Sequence, residues 1–212
     1  MKITVGIPFF NPGDIFAESI QSVLEQTHQD LEIILLDDGS SDGSLAIAKS
    51  FNDPRIKVIS DGKNLRLPKR LNQLIDLATG DFIARMDADD IIAPTKFAQQ
   101  LAMLQANEKI DLVATGMCSI TNDNQVIGYR LPVEKQRINN TVADAIFGRV
   151  NIAHATILAR KSWYLRNRYN ENARLMEDYQ LWIDAAVNND LNVGYIQAPL
   201  YFYREESSVS PQ

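Results

Sequence analysis

The chain has 212 residues, 45% of them hydrophobic and 23% charged, with no low-complexity block, so it can bury a sizeable core and disorder is not expected. A net charge of -6 provides no basic field, which sets aside the usual electrostatic routes to nucleic acid and to anionic lipid. A single cysteine, Cys118, excludes an internal disulfide and a thiolate metal cluster; with no leader-like apolar run and no stretch near the ~20 apolar residues of a membrane span, a cytoplasmic protein is expected.

Ile3, Val5 and Ile7 alternate with Thr4 and Gly6, predicting a first strand that stops at Pro8. Phe9 to Asp14 then makes a turn, and Asp14 is placed to cap a helix that carries Ile15, Ile20, Val23 and Leu24. Leu31 to Leu36 is a second apolar strand, closed by Asp37-Asp38-Gly39-Ser40-Ser41-Asp42-Gly43-Ser44, where Ser41 or Asp42 can cap a helix from Leu45 to Phe51. A third strand follows Pro54, from Arg55 to Ile59. Asn64 to Ala78 is the next helix, with Leu67, Leu71, Leu74, Ile75 and Ala78 on one stripe, Lys69 and Arg70 elsewhere and Arg66 near its start. Strands alternating with helices in this way build a parallel sheet with right-handed crossovers.

Phe82 to Met86 reads as a short buried strand, with Asp87, Asp89 and Asp90 directly after it. Asp90 can cap the helix that Pro94 announces, which carries Phe97, Leu101 and Leu104 as far as Asn107, and Leu112 to Ile120 is a further strand. To this point the chain reads as a nucleotide-binding α/β half. Then come a turn at Thr121 to Asn124, a strand from Val126 to Leu131, a short helix from Asn140 to Phe147, and a strand from Asn151 to Arg160 with His154 at its start. Leu175 to Ala186 is a helix with Glu177 and Asp178 in the first turn, where the helix dipole favours carboxylates; Asn192 to Ile196 and Leu200 to Tyr203 are closing strands.

The acids Asp37, Asp38, Asp87 and Asp89 all follow strands, and in open α/β sheets ligands bind at the strands' carboxyl ends. Asp87 and Asp89 can turn toward one point only if something positive sits there, and a hard divalent cation, Mg2+ or Mn2+, is the simplest candidate. Asp38 could accept from a ribose hydroxyl or a base N–H, or merely serve its turn. Neither a G-x-G-x-x-G fingerprint nor a phosphate-loop motif is present, which disfavours a dinucleotide dehydrogenase and a P-loop enzyme. In the first turn of the last helix, Glu177 and Asp178 are equal candidates for a general base, or for dipole-serving acids. Trp163 and Trp182 could stack on a sugar face, but at helical spacing among apolar neighbours such residues are more often core.

Five stretches, Ile7 to Asn11, Ser19 to Thr27, Leu36 to Ser44, Ala84 to Asp90 and Met176 to Trp182, together resemble the ordered signature of the inverting family 2 glycosyltransferases. The resemblance implies a GT-A-like α/β domain spanning 1–212, with a mixed, mainly parallel twisted sheet flanked by helices. It implies a nucleotide-sugar-binding half at 1–115 and an acceptor-binding half at 116–212, cut short at its C-terminus where relatives continue into helices. Asp38 is then similar to the acid that contacts uracil, with the base packing on Pro8 and Phe9 beside Asn11. Asp89 is the metal ligand, and Asp87 lies nearer the ribose or the metal's water shell. Asp178 resembles the catalytic base, which decides between it and Glu177. His154, in His-Ala-Thr, is similar to a histidine near the phosphates, the alternative being a satisfied histidine beside the core; Arg66, Lys69 and Arg85 are further phosphate candidates. Tyr203 to Ser210 is similar to the family's closing Arg-x-His…Ser-x-Ser segment, with acids in place of the His.

The activity expected is metal-dependent sugar transfer, with inversion, from a nucleoside diphosphate donor, probable base uracil, to a hydroxyl of a saccharide or lipid-linked acceptor, in the cytoplasm or at the membrane's inner face. The rivals are a sugar-1-phosphate nucleotidyltransferase, for which the Gly6 to Gly13 segment lacks any basic residue, and a non-catalytic nucleotide-sugar-binding module.

Overall fold

A computed structural model describes residues 1–132, 138–150, 152–173 and 175–205. Three neighbouring strands of the first half are mostly apolar because helices cover both faces of the sheet. In β1 (Ile3–Phe9) and β2 (Leu31–Asp37) every residue is buried, and so is every residue of β4 (Phe82–Arg85). The side chains alternate between two cores as the pleat requires. Ile3, Val5, Ile7, Ile33, Leu35, Phe82 and Ala84 join one core with Phe16, Ile20 and Val23 of α1 (Phe16–Leu24) and Phe97, Leu101 and Leu104 of α4 (Lys96–Ala106). Ile34, Leu36 and Ile83 face the other, with Leu71, Leu74 and Ile75 of α3 (Leu67–Leu77) and Leu181, Trp182 and Ala185 of α7 (Glu177–Val187). Trp163, on α6 (Lys161–Arg166), belongs to this second core too. Gly6 lets α3 lie close on the sheet, since a Cβ there would come within 2.0 Å of Leu74 Cδ1.

The strand order is β3-β2-β1-β4-β8-β6-β9-β5, with β7 on β6. The strands not yet given are β3 (Ile56–Ser60), β5 (Ile91–Ile92), β6 (Leu112–Ile120), β7 (Val126–Arg130), β8 (Leu158–Arg160) and β9 (Val193–Arg204). β1 pairs in parallel with β2 and β4, and β2 with β3. β8 runs antiparallel to both β4 and β6, and β6 is parallel to β9. Strands β1, β2, β3, β4, β6 and β9 therefore share one direction, while β8, β7 and β5 oppose it. The ends of β1, β2, β4, β6 and β9 all reach one edge, and the approach to β8 begins there.

Several boundaries differ from expectation, each for a local reason. Gly13–Ile15 is a 3-10 turn with Asp14 inside it rather than capping α1, because Gly13 N donates instead to Asp42 and to Ser44 Oγ. On α2 (Ser44–Ser50), Asp42 accepts from the first-turn Ser44 N. α3 starts at Leu67, not Asn64, since the residues before it are drawn over Asp38. His154–Thr156 is another 3-10 turn, so only Leu158–Arg160 is strand; Asn151 lies outside the described residues. The two closing strands form one, β9, because Pro199 sits where its register shifts opposite Gly116 instead of ending it. α5 (Val142–Ile146) opens with a capping box between Thr141 and Asp144.

Candidate active site at the carboxyl edge of the sheet

At the end of β2, Asp38 is buried and accepts three hydrogen bonds: Leu65 N (2.7 Å), Arg66 N (3.0 Å) and Arg70 Nε (2.8 Å). Arg70 is fully buried and also reaches Asp61 (2.7 Å) and the carbonyl of Lys63. Asp38 thus folds the segment before α3 over the end of β1. Pro8, Phe9, Phe10, Asp38, Leu67 and Arg70 line a cleft of ≈ 90 Å³ there. Asp37 serves its own turn, accepting from Ser40 N (2.8 Å) and Ser60 Oγ (2.6 Å). Asn11, at φ 51°, accepts from Ser41 N (2.7 Å) and so braces the β1 turn against the β2 turn.

Beside this cleft is a larger cavity of ≈ 580 Å³, lined by Asn64, Arg66, Leu67, Pro68, Glu171, Leu175 and Glu177. Leu67 belongs to both, so the two open on each other. Arg66 stands exposed at the rim with φ 71° and ψ 159°, a backbone region that glycine occupies almost alone. Lys69 is exposed and lines neither of these two cavities.

After β4 the chain enters the acidic loop. Arg85 is buried and grips both carboxylate oxygens of Asp87, one at 2.8 Å and the other closer. Asp87 and Asp89 are partly exposed, and Asp89 is raised above the ordinary carboxylate range by burial and then by the charge of Asp87. Asp90 does not cap α4, whose N-cap is Thr95 with no side-chain bond. It is buried, accepting from Tyr201 Oη (2.6 Å) and Arg204 N (2.7 Å), and burial together with Asp87 pushes it to about 7.

Of the two readings of His154, near the phosphates or satisfied beside the core, its contacts match the second. Its ring is buried, with Nε2 2.6 Å from Tyr169 Oη, against Trp182. Burial, then the Arg85 charge, hold it well below the usual imidazole range, so it is neutral and offers phosphate no charge. Asp178 sits partly buried in the first turn of α7, accepting from Tyr179 N (2.7 Å). Burial and then Tyr164 push the Tyr169 hydroxyl well above its ordinary range, and the charges of Arg85 and Asp178 both reach it. The Tyr169 hydroxyl thus feels charges from both Arg85 on β4 and Asp178 on α7, and Glu177 beside Asp178 lines the large cavity.

The sequence model of the family described as Glycosyl transferase family 2 matches residues 4–165. The chain belongs to that family. Putative glycosyltransferase EpsE of Bacillus subtilis is 35% identical, over 97% of this chain and 74% of that protein. The Escherichia coli protein named UDP-Glc:alpha-D-GlcNAc-diphosphoundecaprenol beta-1,3-glucosyltransferase WfgD is 28% identical, over 92% of this chain and 74% of its own length. Residues 1-349 of Staphylococcus aureus TarS in complex with UDP-GlcNAc superpose with a TM-score of 0.79 at 18% identity, over 97% of this chain and 59% of that one. Mannosyltransferase PcManGT from Pyrobaculum calidifontis, in complex with GDP-Man and Mn2+, gives 0.69 at 17% identity, over 99% of this chain and 58% of that one. The chain thus spans about three quarters of the two named relatives and about three fifths of these solved chains, and the shared architecture is GT-A-like.

In this glycosyltransferase the residues that sequence reasoning missed are the buried partners: Arg70 behind Asp38, Tyr169 beside His154, and Tyr201 and Arg204 behind the acidic loop. One signal was available. Arg70 is three residues after Leu67 and four before Leu74, inside the apolar stripe rather than beside it, where an arginine must find acids. The serines of the closing segment, at 207, 208 and 210, lie outside the described residues.

Proposed function

We propose that the chain moves a sugar from a nucleoside diphosphate donor, of the uridine type, to a hydroxyl of a saccharide or lipid-linked acceptor with inversion at the anomeric carbon. The observation that carries this reading is the shared sheet edge at which β1, β2 and β4 end in Pro8–Phe9, Asp38 and the Asp87–Asp89 loop, beside a cavity lined by Arg66, Leu67 and Glu177, the neighbour of Asp178. The base stacks at the cleft by Pro8 and Phe9, with Asp38 holding the loop that shapes it, while Arg66 at the cavity rim reaches the donor. The named activity of WfgD and the nucleotide sugars in the TarS and PcManGT structures support a nucleotide-sugar donor.

Among the described residues no group of three or more His, Cys, Asp or Glu is placed to enclose a metal. Two carboxylates suit an ion that completes its shell with donor phosphate and water, and burial and then the charge of Asp87 raise Asp89, a penalty that a cation would offset. Asp89, with Asp87, would hold Mn2+ or Mg2+, which would act as a Lewis acid toward the departing diphosphate. Asp178 takes the proton from the acceptor hydroxyl as that oxygen attacks from the face opposite the diphosphate, so one carboxylate suffices. No helix of the described residues is long and apolar enough to cross a membrane, so a lipid-linked acceptor would be met from the cytoplasmic side by peripheral contact.

Asp178→Asn tests the assignment. Donor binding should persist while transfer, followed as release of nucleoside diphosphate in the presence of acceptor, falls by about 10²–10⁴-fold. Normal turnover by this variant would remove Asp178 from the role, and release of pyrophosphate instead would point to nucleotidyl transfer.

A further inference from the structure

Behind the acidic loop is a buried polar frame that the proposed chemistry leaves unused. Tyr201 is fully buried; its hydroxyl accepts from Asp87 N (3.2 Å) and donates to Asp90 (2.6 Å), so it spans both ends of the loop. Arg204, also buried, donates from its backbone N to Asp90 (2.7 Å) and from Nε to the carbonyl of Asp89 (2.8 Å). Its remaining nitrogens reach the carbonyls of Thr121 (3.0 Å) and Asn122 (2.9 Å) and the carboxylate of Glu18 (3.0 Å). Ser19 Oγ on α1 donates to the carbonyl of Ala88 (2.8 Å). Each residue from Asp87 to Asp90 is thereby tied from behind, while the carboxylates of Asp87 and Asp89 stay partly exposed.

We infer that Tyr201 and Arg204 are positioning residues that set the separation and direction of the Asp87 and Asp89 carboxylates, and that Arg204 joins this loop to the turn after β6. The inference rests on the proposed role of that acid pair. The forked guanidinium serves the carbonyls of Asp89, Thr121 and Asn122 and the carboxylate of Glu18 from three separate nitrogens, a span that a lysine's single nitrogen does not match, so the geometry calls for arginine. Because the loop has only two residues between Asp87 and Asp90, losing one tie lets both carboxylates move.

The test is Mn2+ binding measured directly by electron paramagnetic resonance, and UDP binding by calorimetry with and without Mn2+, on the wild-type chain, Tyr201→Phe and Arg204→Lys. Tyr201→Phe keeps the ring in its pocket and serves if the arginine variant fails to fold. We expect Tyr201→Phe to weaken Mn2+ and Mn2+-dependent UDP affinity about tenfold, leaving metal-free UDP affinity unchanged, and Arg204→Lys not to restore either. Variants that melt earlier but bind Mn2+ and UDP like the wild type would overturn the inference and make the frame merely structural. If the wild type binds neither, the functional reading fails first and this one with it.

Discussion

Arg66 shows how a single backbone conformation can carry a functional hypothesis. At φ 71° and ψ 159° a side chain costs of order 1–3 kcal/mol, and the conformation is held because Arg66 N and Leu65 N both donate to Asp38. A strained arginine at the rim of a ≈ 580 Å³ cavity is worth retaining if its side chain touches a ligand. Arg66→Gly separates the two effects. It should raise the denaturation midpoint, by about 1 kcal/mol of stability after glycine's greater unfolded-chain entropy is counted, while weakening nucleotide-sugar binding several-fold. A stabilised variant with unchanged donor affinity would leave the side chain without a binding role. The sequence puts Arg66 near the start of a helix from Asn64; that it stands before the helix with a positive φ depends on Asp38, 28 residues earlier, and no local pattern carries that.

Among the elements, Glu32 ties four pieces of the first half together. From within β2 it accepts from Thr4 of β1 (2.7 Å), from Thr79 N just before β4 (2.8 Å) and from Lys57 of β3 (2.6 Å). Burial opposes its charge, but the bonds from Lys57, Thr79 and Thr4 prevail and lower it to about 2 from 4.5. A carboxylate depressed on folding stabilises fully above its unfolded value and loses that stabilisation as pH falls. Glu32→Gln should therefore cost about 2–3 kcal/mol at pH 7, and the variant should lose less stability than wild type between pH 4.5 and 2, as urea titrations across that range will show. Equal acid sensitivity in both proteins would contradict this role. Strand periodicity predicts β2 well, yet a glutamate at the second position of Leu31–Asp37 reads only as an interruption of an apolar run. Its partners are separated from it by 28, 47 and 25 residues.

For the molecule as a whole, the decisive feature is that six strands share a direction. Their common edge collects acids on a chain of net charge -6, so an anionic diphosphate needs a divalent cation to offset repulsion there. Binding to the folded state alone should raise the melting temperature. At a hundredfold excess over Kd the gain is about 2.7 kcal/mol, or roughly 5–11 °C for a chain of this size. UDP with Mn2+ should give such a shift and UDP alone a smaller one, whereas Asp89→Asn should respond equally to UDP with or without the metal. An Asp89→Asn protein that keeps the metal-dependent increment would place the cation elsewhere.

By itself the amino-acid sequence settled the alternation of strands and helices, the ends at which acids gather, and the family, because these depend on periodicity and on short motifs whose residues are neighbours in the chain. It favoured core positions over sugar stacking for Trp163 and Trp182, and both are buried. What only the tertiary structure decided is which polar groups are spent inside: Asp90 on Tyr201 and Arg204 instead of on a helix end, His154 on Tyr169, and Asp38 on Arg70. A buried charge must find a partner wherever the fold brings one within reach, and those partners are distant in sequence; Asp90 and Arg204 are 114 residues apart.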